Sequence, residues 1–285
     1  MAARIPTDVA AIRERHPDHF GKGGGSQRKT IGFAVAAVAL LLFGMAQLGF
    51  FDGKMLSGLG RLGEIVVLML PPDPGGWPQA RLFVAALFET IAIALLGTLS
   101  AAVLAVPFGL LAANNVTTAR IVHFLSRRSL DTIRSVDILV WALIWINVVG
   151  LGPFAGALAI MTSDFGSFGK LFSEAIEAAD RKPIEGITST GGGRALGVRF
   201  GILPEVFPVL ASQVLYYFES NTRSATIIGI VGAGGIGLHL AEAIRTLELQ
   251  QVSFIVILIL IAVAGIDFIS SQLRFALIGR RSSMA

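Results

Sequence analysis

Tyr216, Tyr217, Glu219, Asn221 and Arg223 crowd the centre of residues 205–231, a stretch that is apolar at both ends. Glu219 and Arg223 stand four residues apart, the spacing at which two side chains of one helix meet. A charge deep in an apolar segment is expensive, and such residues face a partner or a water-filled cavity. Two readings follow. In one, the pair neutralises itself on its own helix. In the other, Arg223 faces an aqueous pathway and lowers the barrier for an anion, with Tyr217, Glu219 and Asn221 beside it. The two roles are compatible.

A second group offers a surface rather than a charge in lipid. The polar stretch from Glu174 to Pro204 carries Glu174, Glu177, Asp180, Arg181, Lys182, Glu185, Arg194 and Arg199. Connections of this length in compact proteins are usually functional, and this one suits docking of a partner. Pro183 near a helix start gives up an amide that has no partner there. Gly191 offers a turn residue free to take positive φ. Pro204 opens the next helix.

Other chemistries are excluded by what is missing around their key residues. Gly-Lys occurs at 21–22, 53–54 and 169–170, followed by Gly23, Met55 and Leu171 rather than Ser or Thr, so no Walker A phosphate loop exists and the chain is not an ATPase. Gly232, Gly234 and Gly237 satisfy G-x-G-x-x-G. That fingerprint needs a βαβ unit and an acid about 20 residues on. Here the neighbours are membrane-length apolar segments and Glu248 is the nearby acid, so the glycines read as allowing close helix approach or a helix break at the outer mouth. His16 and His19, His123 and His239 lack further ligands, and no metal or cofactor is expected. With no cysteine there is no disulfide or thiolate site. No nucleophile–base cluster supports an intramembrane enzyme, and no internal repeat supports a stand-alone secondary transporter.

The elements that must position these residues are set by hydropathy. Hydrophobic residues make up 54% of the chain, charged residues 15%, and the mean hydropathy is +0.73. Ordinary domains are about a quarter charged. A chain this apolar is an all-α membrane protein, partly covered by lipid. Six crossings are expected at 31–51, 83–112, 136–150, 153–172, 205–231 and 252–272. The stretch 56–70, interrupted by Arg61 and Glu64, is assigned to the external surface, followed by a linker holding Pro71, Pro72, Pro74 and Pro78. Residues 1–30 are polar and do not read as a secretory signal, and the first apolar run reads as an uncleaved anchor. With the N-terminus inside, 18 of the 23 Lys and Arg fall on inner segments, which places both termini in the cytoplasm. The same bias explains the pI near 9.8 without nucleic acid. The organisation read from this is a tail (1–30), a first membrane helix with an external linker (31–82), a transmembrane domain (83–275) and a C-terminal tail (276–285).

Glu185, Gly191 and Leu203-Pro204 reproduce the spacing of the EAA loop, and the flanks agree. Glu89-Thr90 begins the second membrane helix, and Arg134-Ser135 precedes the third. The runs Val149 to Gly156, Asn221 to Thr226 and Gly229 to Gly237 follow. Together these resemble the phosphonate-type branch of ABC importer permeases over roughly 83–275. The sequence departs from that pattern at Gly186-Ile187, where two alanines are usual, at Gly201, where isoleucine is usual, and at Gly191-Gly192-Gly193, looser than the common Gly-Ala. It also has Val136-Asp137 after the arginine in place of Ile-Pro-Glu. The resemblance implies a type I importer permease fold with six transmembrane helices and Glu185, Gly191, Leu203 and Pro204 in a coupling loop. It also implies a homodimer, two cytoplasmic ABC ATPase subunits, an extracytoplasmic substrate-binding protein, and a place in the inner membrane of a prokaryote. The cargo it implies is phosphonate or a related phosphorus oxyanion. An importer permease for another small solute, or a stand-alone secondary transporter, remains the alternative.

Overall fold

The computed structural model describes residues 24–50, 54–117 and 119–279, and among them every regular element is helical. His16, His19 and the outer parts of both tails lie outside the described residues. The chain divides into two compact units, Met1–Val67 and Leu68–Ala285.

The first unit holds α1 (Gly24–Gln47) and α2, which runs Lys54–Leu68. Ile31, Phe33, Leu40 and Phe43 of α1 are all exposed, and the helix is apolar all round, as a membrane-crossing helix is. Along α2, Arg61 and Glu64 alternate with exposed Leu62, Ile65 and Val66. The helix is amphipathic and, at 15 residues, shorter than a crossing.

The second unit begins its membrane part with α3 (Trp77–Ala112), whose first turn contains Pro78. At 36 residues it is about 54 Å long. Its buried stripe is built of small residues, including Ala94, Gly97, Thr98, Ala101, Ala105 and Gly109. These let α6 (Pro153–Glu177) lie close against it. A Cβ at Gly97 would stand 2.6 Å from Ile160, and one at Gly109 2.9 Å from Phe172. Between α3 and α6 come α4 (Arg120–Arg134) and α5 (Ile138–Val149), bent by 88° to each other. Asp137 sits at the corner, its carboxylate accepting from the Leu139 amide at 2.8 Å to cap α5. Leu130 of α4 is buried over Gly169 of α6, and the α4 backbone passes close to Gly166.

After α6 come α7 (Lys182–Ser189), a single turn α8 (Arg194–Leu196) and a π-helical stretch over Gly197–Ile202. This leads without a break into α9 (Leu203–Ile230), with Pro204 in its first turn. A glycine-rich loop then joins α10 (Ile236–Arg245), and α11 (Leu249–Gly279) closes the unit.

Four described helices, α1, α3, α9 with its lead-in, and α11, are long and apolar enough to cross a membrane, and the bent pair α4–α5 makes a fifth if taken as one span. Two of the six expected crossings therefore look different from the expectation. The one at 136–150 is a 12-residue helix of about 18 Å, short of the roughly 30 Å of bilayer hydrocarbon. The one at 153–172 has the length in α6, but Asp164, Lys170, Glu174 and Glu177 make that helix more polar than the other long helices. Its Asp164, Phe168, Phe172 and Ser173 are buried against protein, so it has less need of an apolar exterior.

Candidate functional site

On α9 the side chains divide by face. Asn221 is buried at 4% exposure and donates through Nδ2 to Thr98 Oγ1 of α3 at 2.8 Å and to Asp164 of α6. This triad ties three helices together inside the bundle, where an unpaired polar group would be costly. Asn221 therefore points away from the face that carries Arg223. Tyr217 is half-buried, its ring 4.6 Å from that of Phe168 and 6.0 Å from that of Tyr216.

Glu219 and Arg223 share the opposite face, as their spacing predicts, but two residues of α11 join them. Arg223 lies 3.7 Å from Glu219 and 3.5 Å from Asp267. The shortest contact of Glu219 is with Arg274, at 2.8 Å. Two acids and two arginines thus form a balanced group that staples α9 to α11. The reading of Glu219 and Arg223 as a pair closed on one helix needs correction, because Asp267 and Arg274 of α11 share their charges. The side chain of Arg223 is 48% exposed and that of Glu219 only 14%. The arginine is thus the member presented outward. Asp267 was the missed signal, being an acid within the apolar run 252–272. Arg274 lay beyond the end assigned to that run.

The loop between α6 and α9 has the features its sequence required. Pro183 sits in the first turn of α7, and Glu185 is exposed in that turn. Gly191 has φ +83° and donates to the Thr188 carbonyl at 3.0 Å, which ends the helix. Gly201 of the π-helical stretch faces α7. A Cβ there would stand 3.4 Å from both Ile184 and Ile187. The loop is held at its base by Glu205, which accepts from the Asp180 amide at 3.0 Å. Beside it, Glu177 accepts from the Asn114 amide at 2.8 Å and meets Arg127 at 3.4 Å.

At the other end of α9, residues 231–235 turn between α9 and α10 with Gly232, Gly234 and Gly235 all at positive φ. Glu89 accepts from the Gly235 amide at 3.0 Å, and Thr90 Oγ1 accepts from the Ile236 amide at 2.8 Å. Glu89 and Thr90 thus lie well inside α3 rather than at its start, and they clasp the glycine loop. A cavity of about 270 Å³ remains there, lined by Glu89, Leu151, Gly152, Pro153, Gly232 and His239 among others. Among the described residues no cluster of His, Asp and Glu could hold a metal ion.

Residues 105–282 match the family described as binding-protein-dependent transport system inner membrane component. The chain belongs to this family. Its members are the membrane parts of ABC importers, in which ATP is hydrolysed by separate ATPase subunits and cargo arrives on a binding protein. Over 282 residues, 98% of this chain and 92% of the other, it is 36% identical to a putative phosphite transport system permease protein, HtxC, of Stutzerimonas stutzeri. It is 31% identical over 269 residues to the phosphite transport system permease protein PtxC of the same organism, covering 94% of this chain and 97% of the relative. A phosphate-import permease protein, PhnE, of Mycolicibacterium smegmatis is 38% identical over 75% of this chain and 40% of its own length. Among solved structures, an inward-facing MetNI methionine ABC transporter superposes with a TM-score of 0.62 at 19% identity, covering 71% of this chain and 99% of that one. The fold is that of a type I ABC importer permease, and the chain is a multi-pass membrane protein.

Proposed function

We propose that this permease carries phosphite, phosphonate or a closely related phosphorus oxyanion into the cell. The observation that carries the reading is Arg223, exposed on the α9 face opposite the buried Asn221 triad. The phosphite and phosphate import permeases among its relatives support the same class of cargo. Two copies assemble about a central route, with α9 and α11 facing it and Arg223 supplying positive potential to a passing anion. Glu219 belongs to the same wall, while Tyr217, one turn before Asn221 and packed on Phe168, holds that wall from behind together with Asn221.

Both termini are cytoplasmic, as the Lys and Arg distribution supports. The α7–α8 segment then faces the cytoplasm, where Glu185, Gly191, Leu203 and Pro204 belong to the surface that docks each of two ATPase subunits. Closure of the ATPases moves this segment and, through the unbroken π-helical lead-in, tilts α9. A binding protein delivers cargo at the glycine-loop end. No covalent step occurs on the chain.

The test is uptake of labelled phosphite and methylphosphonate by the reconstituted complex at saturating binding protein. Arg223→Gln is expected to abolish uptake, and Glu219→Gln added to it is expected not to restore uptake. The double variant removes one charge of each sign, leaving Asp267 and Arg274 of α11 as one acid and one base with no net charge. Recovery of transport in the double variant would reduce Arg223 to a counter-ion.

A further inference from the structure

We propose that α4 is an in-plane interfacial helix whose outward face binds anionic phospholipid of the cytoplasmic leaflet. The two faces of α4 differ in kind. One is locked to α6 by buried Leu130, by Arg127 on Glu177 at 3.4 Å and by Asp131 on Lys170 at 3.4 Å. The other carries Ile121 at 76% exposure with Phe124 and Leu125 each at 58%. Arg128 lies on this face with its guanidinium 5.5 Å from the centre of the Phe124 ring. Arg120 stands at its edge.

Neither Arg120 nor Arg128 has a carboxylate partner among the described residues, whereas Arg127 and Arg134 do. An apolar patch flanked by two unpaired arginines complements one chemistry well: acyl chain below, phosphate above. The setting fits. The helix is 15 residues, about 22 Å, and too short to cross. It turns by 88° into α5, whose sequence Ile138–Val149 is apolar but for Asn147 near its end and belongs in hydrocarbon. If α5 stands along the bilayer normal, α4 lies in the plane of the surface. Arg128 then keeps its stem on the apolar patch and its charge in the headgroup layer. The distribution of Lys and Arg selects the cytoplasmic leaflet. None of this depends on which solute the permease carries.

The chain has no cysteine, so single-cysteine variants need no prior engineering. Ile121→Cys, Leu125→Cys and, on the exposed coupling loop, Thr190→Cys are labelled with bimane. The full-length chain is then reconstituted with brominated phosphatidylglycerol. Labels at 121 and 125 are expected to lose most of their fluorescence, and the label at 190 to keep it. In parallel, Arg120→Gln and Arg128→Gln should each lower the preference for labelled phosphatidylglycerol over phosphatidylcholine about 5-fold, the equivalent of ~1 kcal/mol per basic residue at an anionic surface. If the labels at 121 and 125 escape quenching, the face is covered by protein, a second copy or a partner subunit, and the proposal fails. It fails equally if the arginine variants bind phosphatidylglycerol as the parent does.

Discussion

Two glycine-rich turns flank α9, and they differ in how tightly their surroundings close on them. Around Gly191 and Gly193 there is open space, with nothing within 4 Å of where a Cβ would stand, although Gly192 between them is close to its own helix, a Cβ there being 2.6 Å from Ile187. Around Gly234 and Gly237 there is none. A Cβ at Gly234 would lie 2.7 Å from the backbone of Pro153, and one at Gly237 would run into the Thr226 carbonyl. In the first turn Gly191 is needed for its backbone conformation, whereas in the second positive φ at Gly232, Gly234 and Gly235 is joined by a lack of room for any side chain. A loop that must meet a moving partner stays loose and exposed. A loop that closes one end of a bundle is packed by every neighbour it has. Composition alone does not distinguish them.

The largest effect should come from filling the crowded turn. Gly237→Ala places a methyl against backbone of α9, and neither helix can shift without breaking the Glu89 and Thr90 clasp. A destabilisation of about 3 kcal/mol, the upper end for overpacking, is expected. The readout is loss of monodisperse protein after detergent extraction, with a lowered unfolding temperature in what remains. Normal yield and stability would show that the two turns are alike after all.

In the open turn the damage should fall on coupling instead. Gly191→Pro imposes a negative φ where +83° is needed and removes the amide that bonds Thr188. The bundle does not lean on this turn, so expression and thermal stability should hold while stimulation of the ATPase and uptake are lost. Gly191→Asn, which tolerates the left-handed region, should retain both. Glu185→Lys, reversing an exposed charge on α7, should mimic the proline variant. Full activity in Gly191→Pro and Glu185→Lys together would remove this loop from the docking surface.

How far these differences could be read beforehand depends on their range along the chain. Turn chemistry is local, so Pro183, Gly191 and Pro204 were legible with their roles in the backbone. The long apolar helices were legible for the same reason. Polar partnerships across helices were not. The clasp of Gly235 and Ile236 by Glu89 and Thr90 spans 146 residues, and Asn221 meets Thr98 across 123. Nothing in residues 221–223 says that Asn221 and Arg223 face opposite ways until a helix is drawn through both. Arg274 escaped because a hydropathy run ends where polarity begins, whereas α11 continues to Gly279. The half-polar α4 escaped because 120–134 has too little apolar content to be noticed as a membrane element.

A smaller effect tests the clasp itself. Glu89→Leu leaves the Gly235 amide without its acceptor, and about 1–3 kcal/mol should be lost. Glu89→Gln keeps an oxygen at the same place and should differ from the parent by less than about 0.5 kcal/mol. Thermal unfolding of the two variants side by side gives the answer. Equal loss in both would mean that the negative charge, not the hydrogen bond, holds the turn.

The smallest expected effect concerns Gly186, which resembles neither turn. It lies inside α7, where glycine weakens a helix by roughly 1 kcal/mol relative to alanine. It is exposed, a Cβ there would meet nothing within 4 Å, and its φ is not in the left-handed region. Neither volume nor conformation therefore accounts for glycine at this place, and the loop pattern this segment resembles has alanine there. Gly186→Ala should leave uptake unchanged and raise the unfolding temperature slightly, if α7 melts with the rest of the chain. The same variant also probes how closely a partner approaches. Should stability rise while ATPase stimulation falls, the space above Gly186 is filled in the assembled importer to within a methyl group. Gly186 would then belong with the crowded glycines, its crowding supplied by another subunit.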